Sequence, residues 1–272
     1  MKNKDIILHS GTTKLLVNRT NAMFFYETFI AGEYDEIRLR KGDIVLDAGA
    51  NIGDFTVKAA KIVGKKGKVI AIEPNDALIP LLRRNININN LNNVTVVQCA
   101  LSDIDGEVPM IFKGDTIMMS DSRDSIYIDV ESRTVDSIAR EFGFDSFDVI
   151  KMDIEGAEYS ALSCMKDLGS VREAVVELHG EDNMYKVAKL LTENGFDVKS
   201  FSNLRLMRNV LCNVLRHLPS FLGAEIKCGA LATRAAIYTL RSGQNPLPPL
   251  NDSGYFSVIY ATNTGASTGK DN

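Results

Sequence analysis

The chain has 272 residues, 45% of them hydrophobic and 24% charged, with a formal net charge of -4. That length suits one large domain, or a domain with an inserted piece, and the acidic balance argues against nucleic acid as a partner, because neutralising phosphates takes a basic surface. Cys99, Cys164, Cys212 and Cys228 share no Cys-x-x-Cys spacing, which excludes the usual patterns for a structural zinc site or a disulfide framework.

Residues 1–10 are polar, without the apolar stretch of a signal peptide, and no run approaches the roughly 20 apolar residues of a membrane span. A cytoplasmic protein is expected. Residues 1–40 form an N-terminal cap, strand-like over 14–17 and aromatic with helical spacing over 22–30. From residue 42 to 202 the pattern alternates strand and helix, which predicts a parallel α/β sheet. Strands are expected at 43–47, 68–73, 94–99, 147–153, 173–178 and 196–201, and helices at 52–63, 76–89, 134–142, 157–164 and 182–194. Residues 106–130 interrupt the alternation as a strand pair over the sheet edge. The asparagine-rich run at 85–93 reads as a helix stop, since Asn tolerates turn geometry.

Beyond the core at 41–203, Leu204, Met207, Val210, Leu211, Val214, Leu215 and Leu218 share one face of an amphipathic helix, opposite Arg205, Arg208 and Arg216. A second helical stretch follows at 224–240. Residues 204–254 are therefore expected to be a helical insertion, followed by a last sheet strand at 255–264, antiparallel beside the sixth, and a disordered tail at 265–272. The insertion would border the substrate pocket as a lid or a homo-oligomer contact. Three arginines make a weak charge face, so membrane contact is not the favoured reading. The fold class expected is α/β, a doubly wound Rossmann-like sheet, mostly parallel with an antiparallel last strand.

Two motifs carry the chemistry. Ile44 to Asp54 reads Ile-Val-Leu-Asp-Ala-Gly-Ala-Asn-Ile-Gly-Asp, a buried strand entering a turn with Gly49 and Gly53. The next apolar run closes on Glu73, where a carboxylate suits the two hydroxyls of a ribose. A nicotinamide or flavin site would use Gly-x-Gly-x-x-Gly, so that backbone approaches a pyrophosphate. Here Ala50-Asn51 replaces the middle glycine, and Asp47 would repel phosphate. A carboxylate there favours a cationic ligand instead, and S-adenosylmethionine carries an ammonium and a sulfonium but no phosphate. The second motif, Val149 to Glu158, reads Val-Ile-Lys-Met-Asp-Ile-Glu-Gly-Ala-Glu and again ends a strand in acids. Glu155 and Glu158 suit helix capping as well as function, whereas Asp153 sits where ligands bind such sheets.

The chain resembles the FkbM family of S-adenosylmethionine-dependent methyltransferases. The resemblance rests on Leu46-Asp-Ala-Gly-Ala-Asn-Ile-Gly53, Ala71-Ile-Glu-Pro74, Ala100-Leu-Ser-Asp103, Thr134-Val-Asp136 and Ile150-Lys-Met-Asp-Ile-Glu-Gly-Ala-Glu158, and spans residues 22–200. It implies a class I methyltransferase fold and O-methylation of sugars or other small-molecule hydroxyls. Residues 204–250 lie outside the pattern.

Cofactor contacts are expected from Asp47, Gly49, Ala50, Asn51, Gly53, Glu73, Pro74, Ser102 and Asp103. Asp47 and Gly49 would face the methionine portion, Glu73 the ribose, and 100–103 the adenine edge. A hydroxyl acceptor must also lose a proton, so a base or a metal has to stand at its oxygen. His179 follows the fifth strand at the same sheet end as Asp153, and His179, Asp153 and Glu155 are the catalytic candidates. Asp153, Glu177 and His179 form the candidate set for magnesium or manganese, with Glu177 and His179 alternating onto one face. The alternatives are an NAD-dependent oxidoreductase and a non-catalytic S-adenosylmethionine-binding protein.

Overall fold

The computed structural model describes residues 5–18, 20–113, 116–118, 127–200 and 257–265. The helical insertion expected at 204–254 and the tail after residue 265 lie outside the described residues.

The strands that bear the site are β3 (Ile44–Ala48), β4 (Lys68–Ile72) and β5 (Val94–Val97), followed later in the chain by β10 (Val149–Met152), β11 (Glu173–Leu178), β12 (Phe196–Ser200) and β13 (Ser257–Asn263). They form one seven-stranded sheet in the order β12-β13-β11-β10-β3-β4-β5. The pairs from β11 through β5 are parallel, and β13 runs antiparallel to both its neighbours. This is the class I methyltransferase arrangement. The last strand lies antiparallel beside the sixth, as expected, and its other edge pairs with β11.

The connecting helices explain why these strands read as apolar runs. Helices α2 (Asp54–Val63) and α3 (Ile79–Ile88) follow β3 and β4, while α4 (Val135–Glu141), α5 (Glu158–Ser163) and α6 (Glu181–Glu193) belong to the other half. Both sheet faces are covered, so alternate residues enter different cores. Leu46, Ile70, Ile150 and Val176 pack with Ile138, Leu162 and Leu191. Val45, Val69, Val149 and Val175 pack with Phe55, Ala59 and Val63.

The N-terminal segment is a hairpin of β1 (Ile6–Ser10) and β2 (Thr13–Val17), then a short helix α1 (Ala22–Phe25) that continues as a π-helical turn, Tyr26–Ala31. The sequence reading missed β1, whose residues are mostly exposed and carry no clear alternation. The asparagine run does more than end a helix. Asn85 is fully buried, accepts from Leu16 N at 2.6 Å and donates to Leu16 O at 3.1 Å, while Asn89 accepts from Lys14 N at 2.9 Å. Residues four apart on a helix are spaced to meet residues two apart on a strand, so α3 replaces the missing partner strand of β2. The turn itself comes at Asn90, which is left-handed at φ 54°.

Within 106–130 the described residues include β7 (Gly106–Lys113), β8 (Thr116–Met118) and the start of β9 (Ile128–Arg133). With β6 (Ala100–Leu101) they form a separate four-stranded sheet in the order β6-β9-β7-β8.

Candidate active site

The strand order reverses between β3 and β10, where a crevice opens at the carboxyl ends of parallel strands. A cleft of about 610 Å³ lies there. Its walls come from the loops after β3, β4, β10 and β11, from Cys99 to Asp103, from Val108 to Met110 on β7, and from the N-terminal segment through Phe24, Glu27, Glu33 and Tyr34.

Gly49, Asn51, Glu73, Pro74, Ser102, Asp103, Asp153, Glu155, Glu177 and His179 all line this cleft. Gly49 is left-handed, at φ 73°, and a Cβ there would lie 1.8 Å from the carbonyl oxygen of Asp153. Only a glycine lets the two motifs touch. Glu73 is 2% exposed, and its two oxygens accept from Asn51 N and Asn75 N, each at 2.8 Å. Burial pushes its carboxyl up to about 7, against the opposing pull of those two backbone donors and Lys151. The Ser102 hydroxyl is engaged with Ser132 Oγ at 2.7 Å, which ties the end of β6 to β9.

Asp47, Ala50 and Gly53 do not line the cleft. Asp47 has no exposed surface; its carboxylate accepts from Thr56 Oγ1 and lies 3.5 Å from Lys151 Nζ. Its charge is therefore matched inside the protein, beneath the position expected for the methionine portion. Ala50 packs with Leu82 and Ile86, and Gly53, at φ 88°, begins α2 against Leu82. These residues shape the turn.

Other acids line the cleft. Glu27, Glu33, Asp54, Glu73, Asp103, Asp153, Glu155 and Glu177 line the cleft, against Lys151 and His179 as the basic side chains among the described residues. Burial, then Asp54 and Asp153, push Glu27 up to about 7, and burial leaves Asp54 at about 6 despite a hydrogen bond from Thr28 Oγ1. Burial first, then Asp153 and Glu33, carry Glu177 well above the carboxylate range. Lys151 is buried and donates to Gly49 O at 2.7 Å. Burial pulls its ammonium down, but Asp47, Asp153 and Asp54 outweigh that and hold it charged. Glu27, Glu33, Asp54 and Lys151 were not among the sequence candidates. A lysine inside the apolar run Val149 to Met152 is itself a signal, because lysine is seldom buried without a partner; Glu27 and Glu33 sit in no recognisable motif.

Around His179 the geometry is specific. Nδ1 lies 2.9 Å from Glu158 Oε1, and Nε2 lies 3.5 Å from Glu155 Oε2 and 3.8 Å from Asp153 Oδ1. Burial disfavours the imidazolium, but the hydrogen bond and charge of Glu158, with Asp153 and Glu155, raise His179 above its ordinary value. Asp153, Glu177 and His179 each offer a ligand atom within 4.8 Å of the others. Glu155 reaches this group from a left-handed backbone, φ 57°.

The Methyltransferase FkbM domain family matches residues 47–198. The chain belongs to the FkbM methyltransferase family. It is 30% identical over 232 residues to the 31-O-demethyl-FK506 methyltransferase FkbM of Streptomyces tacrolimicus, covering 70% of this chain and 88% of that one. To methyltransferase sdnD of Sordaria araneosa it is 26% identical over 220 residues, 67% of this chain and 85% of the other. The crystal structure of Methyltransferase FkbM from Methylobacillus flagellatus KT shares 21% identity over 65% of this chain and 44% of that chain, with a TM-score of 0.48. This FkbM protein is thus an S-adenosylmethionine-dependent methyltransferase, which selects the methyl-donor reading of the first motif over the dinucleotide one. The cleft fits that donor. Acids outnumber bases on its described walls, which suits a cationic ligand, and each Glu73 oxygen has a lone pair beyond its backbone hydrogen bond that could accept from a hydroxyl. Among the described residues no helix is long and apolar enough to cross a membrane.

Proposed function

We propose that the protein O-methylates a hydroxyl of a small molecule, a sugar or another natural-product alcohol, with His179 and Asp153 at the acceptor oxygen. The convergence of Asp153, Glu177 and His179 within 4.8 Å on one cleft wall carries this reading. The Streptomyces tacrolimicus relative is a 31-O-demethyl-FK506 methyltransferase, which adds support.

When bound, the donor supplies an electrophilic methyl on a sulfonium. The chain's part is to hold the acceptor in line, exclude water and take its proton. Gly49 and Glu73 hold the donor, Met23, Phe24 and Tyr34 cover the cleft from the N-terminal segment, and His179 Nε2 receives the proton while Asp153 and Glu155 stabilise the imidazolium. The same Asp153, Glu177 and His179 would hold a magnesium or manganese ion, since two carboxylates and an imidazole suit such ions. A divalent ion there would lower the acceptor's pKa.

The test is an acceptor screen with methyl-labelled S-adenosylmethionine, repeated with His179→Ala, Asp153→Ala and a chelator. Loss of turnover by about 10²–10⁴-fold in both variants, with normal binding of S-adenosylhomocysteine, is expected. Full turnover in both variants sinks the assignment, an N-methylated product sinks the acceptor class, and indifference to chelator removes the metal.

A further inference from the structure

Glu158 opens α5 with no exposed surface, and its carboxylate is met by two backbone N–H groups and a side-chain amide. Its Oε1 accepts from Gly156 N at 3.0 Å and Ile154 N at 3.3 Å, and its Oε2 accepts from Asn183 Nδ2. Those two backbone groups converge because Glu155 and Gly156 are both at positive φ, 57° and 109°, folding the loop after β10 over the carboxylate. Asn183 is held in turn, its Oδ1 accepting from Tyr159 N at 3.2 Å.

An ionised carboxylate only accepts hydrogen bonds. The nitrogen 2.9 Å from Glu158 Oε1, His179 Nδ1, must therefore carry a proton. In a neutral imidazole that leaves Nε2, the nitrogen on the Asp153 and Glu155 side, without one. We propose that Glu158 is the positioning residue of the acceptor site: its buried carboxylate fixes the ring and tautomer of His179, so that an unprotonated Nε2 faces the cleft. The proposal rests on the reading of His179 as acting at the acceptor oxygen. It serves a base and a metal ligand alike, because a ligating imidazole is oriented in the same way by a carboxylate on its other nitrogen.

A role in capping α5 and joining it to α6 would use the same bonds, so the test reads the imidazole itself. Long-range ¹H–¹⁵N spectra of the full chain labelled at histidine are recorded over a series of rising pH until the ring signals stop shifting, so that the neutral form is read directly, with the His179 signals assigned by their loss in His179→Gln. The wild type should show His179 protonated at Nδ1. Glu158→Ala should shift it to a mixture of tautomers, while Glu158→Gln with Asn183→Asp, which keeps every donor and acceptor matched, should hold the Nδ1–H form. An Nε2–H form in the wild type overturns the proposal without any variant, and so does an unchanged tautomer in Glu158→Ala. Once an acceptor is known, Glu158→Gln should lower kcat by about 10–100-fold with the donor KM unchanged, and should add no loss on a His179→Ala background. An equal loss in both backgrounds overturns the proposal. Full turnover in His179→Ala would remove the base reading while leaving the tautomer result standing.

Discussion

Lys151 and Asp47 are register partners on adjacent parallel strands, 3.5 Å apart, and both are almost fully buried. The pair joins the two motifs across the switch point, and Lys151 also holds the carbonyl of Gly49.

Removing one partner of a buried pair leaves the other charge uncompensated. Lys151→Met is expected to destabilise the fold by about 3–5 kcal/mol, as measured by urea unfolding, and the double variant Lys151→Met with Asp47→Asn should recover much of that loss. A single variant as stable as wild type would show that the pair contributes nothing.

Gly49→Ala places a methyl group where the Asp153 carbonyl stands, 1.8 Å away, on a backbone already at φ 73°. The loop after β3 must then move from β10. Stability should fall by about 1–3 kcal/mol, and S-adenosylhomocysteine binding by calorimetry should weaken by at least about tenfold, near 1.4 kcal/mol. Wild-type affinity in this variant would rule out the close approach of the two loops.

The carboxyl groups of Glu27, Glu73 and Asp54 are raised to about 7, 7 and 6, each by burial first. Between their unfolded values near 4 and these folded ones, the folded protein binds more protons than the unfolded chain. Their contribution to stability is complete below about pH 4 and is lost as pH rises through about 7. The ligand-free protein should therefore melt at lower temperature at about pH 8 than at about pH 5, and Glu27→Gln should flatten the trend. A melting temperature that rises across this interval would contradict the burial of these groups as ionisable acids.

Much of the architecture is legible in the chain alone. Apolar runs such as Val149 to Met152 and Glu173 to Leu178 announce strands covered on both faces, and the glycines of the first motif announce a tight turn at their ends. The antiparallel last strand beside the sixth is also legible, but its pairing with β11 is not, because strand order depends on which edge offers a complementary apolar face. The hairpin strand β1 is invisible for the opposite reason: it is largely exposed, and periodicity records only burial.

The site divides along the same line. Local sequence determined the methyl-donor motif and the strand-end positions of Glu73, Asp153, Glu177 and His179, because each depends on a strand ending at a turn within a few residues. Tertiary structure alone decided which acids line the cleft. Asp47 is neutralised by Lys151 from another strand, Glu27 arrives from a π-helical turn and Glu33 from just beyond it, and Glu158 reaches His179 from the start of α5. A side chain's charge is written in the sequence, but its partner and its exposure follow from packing between elements far apart in the chain.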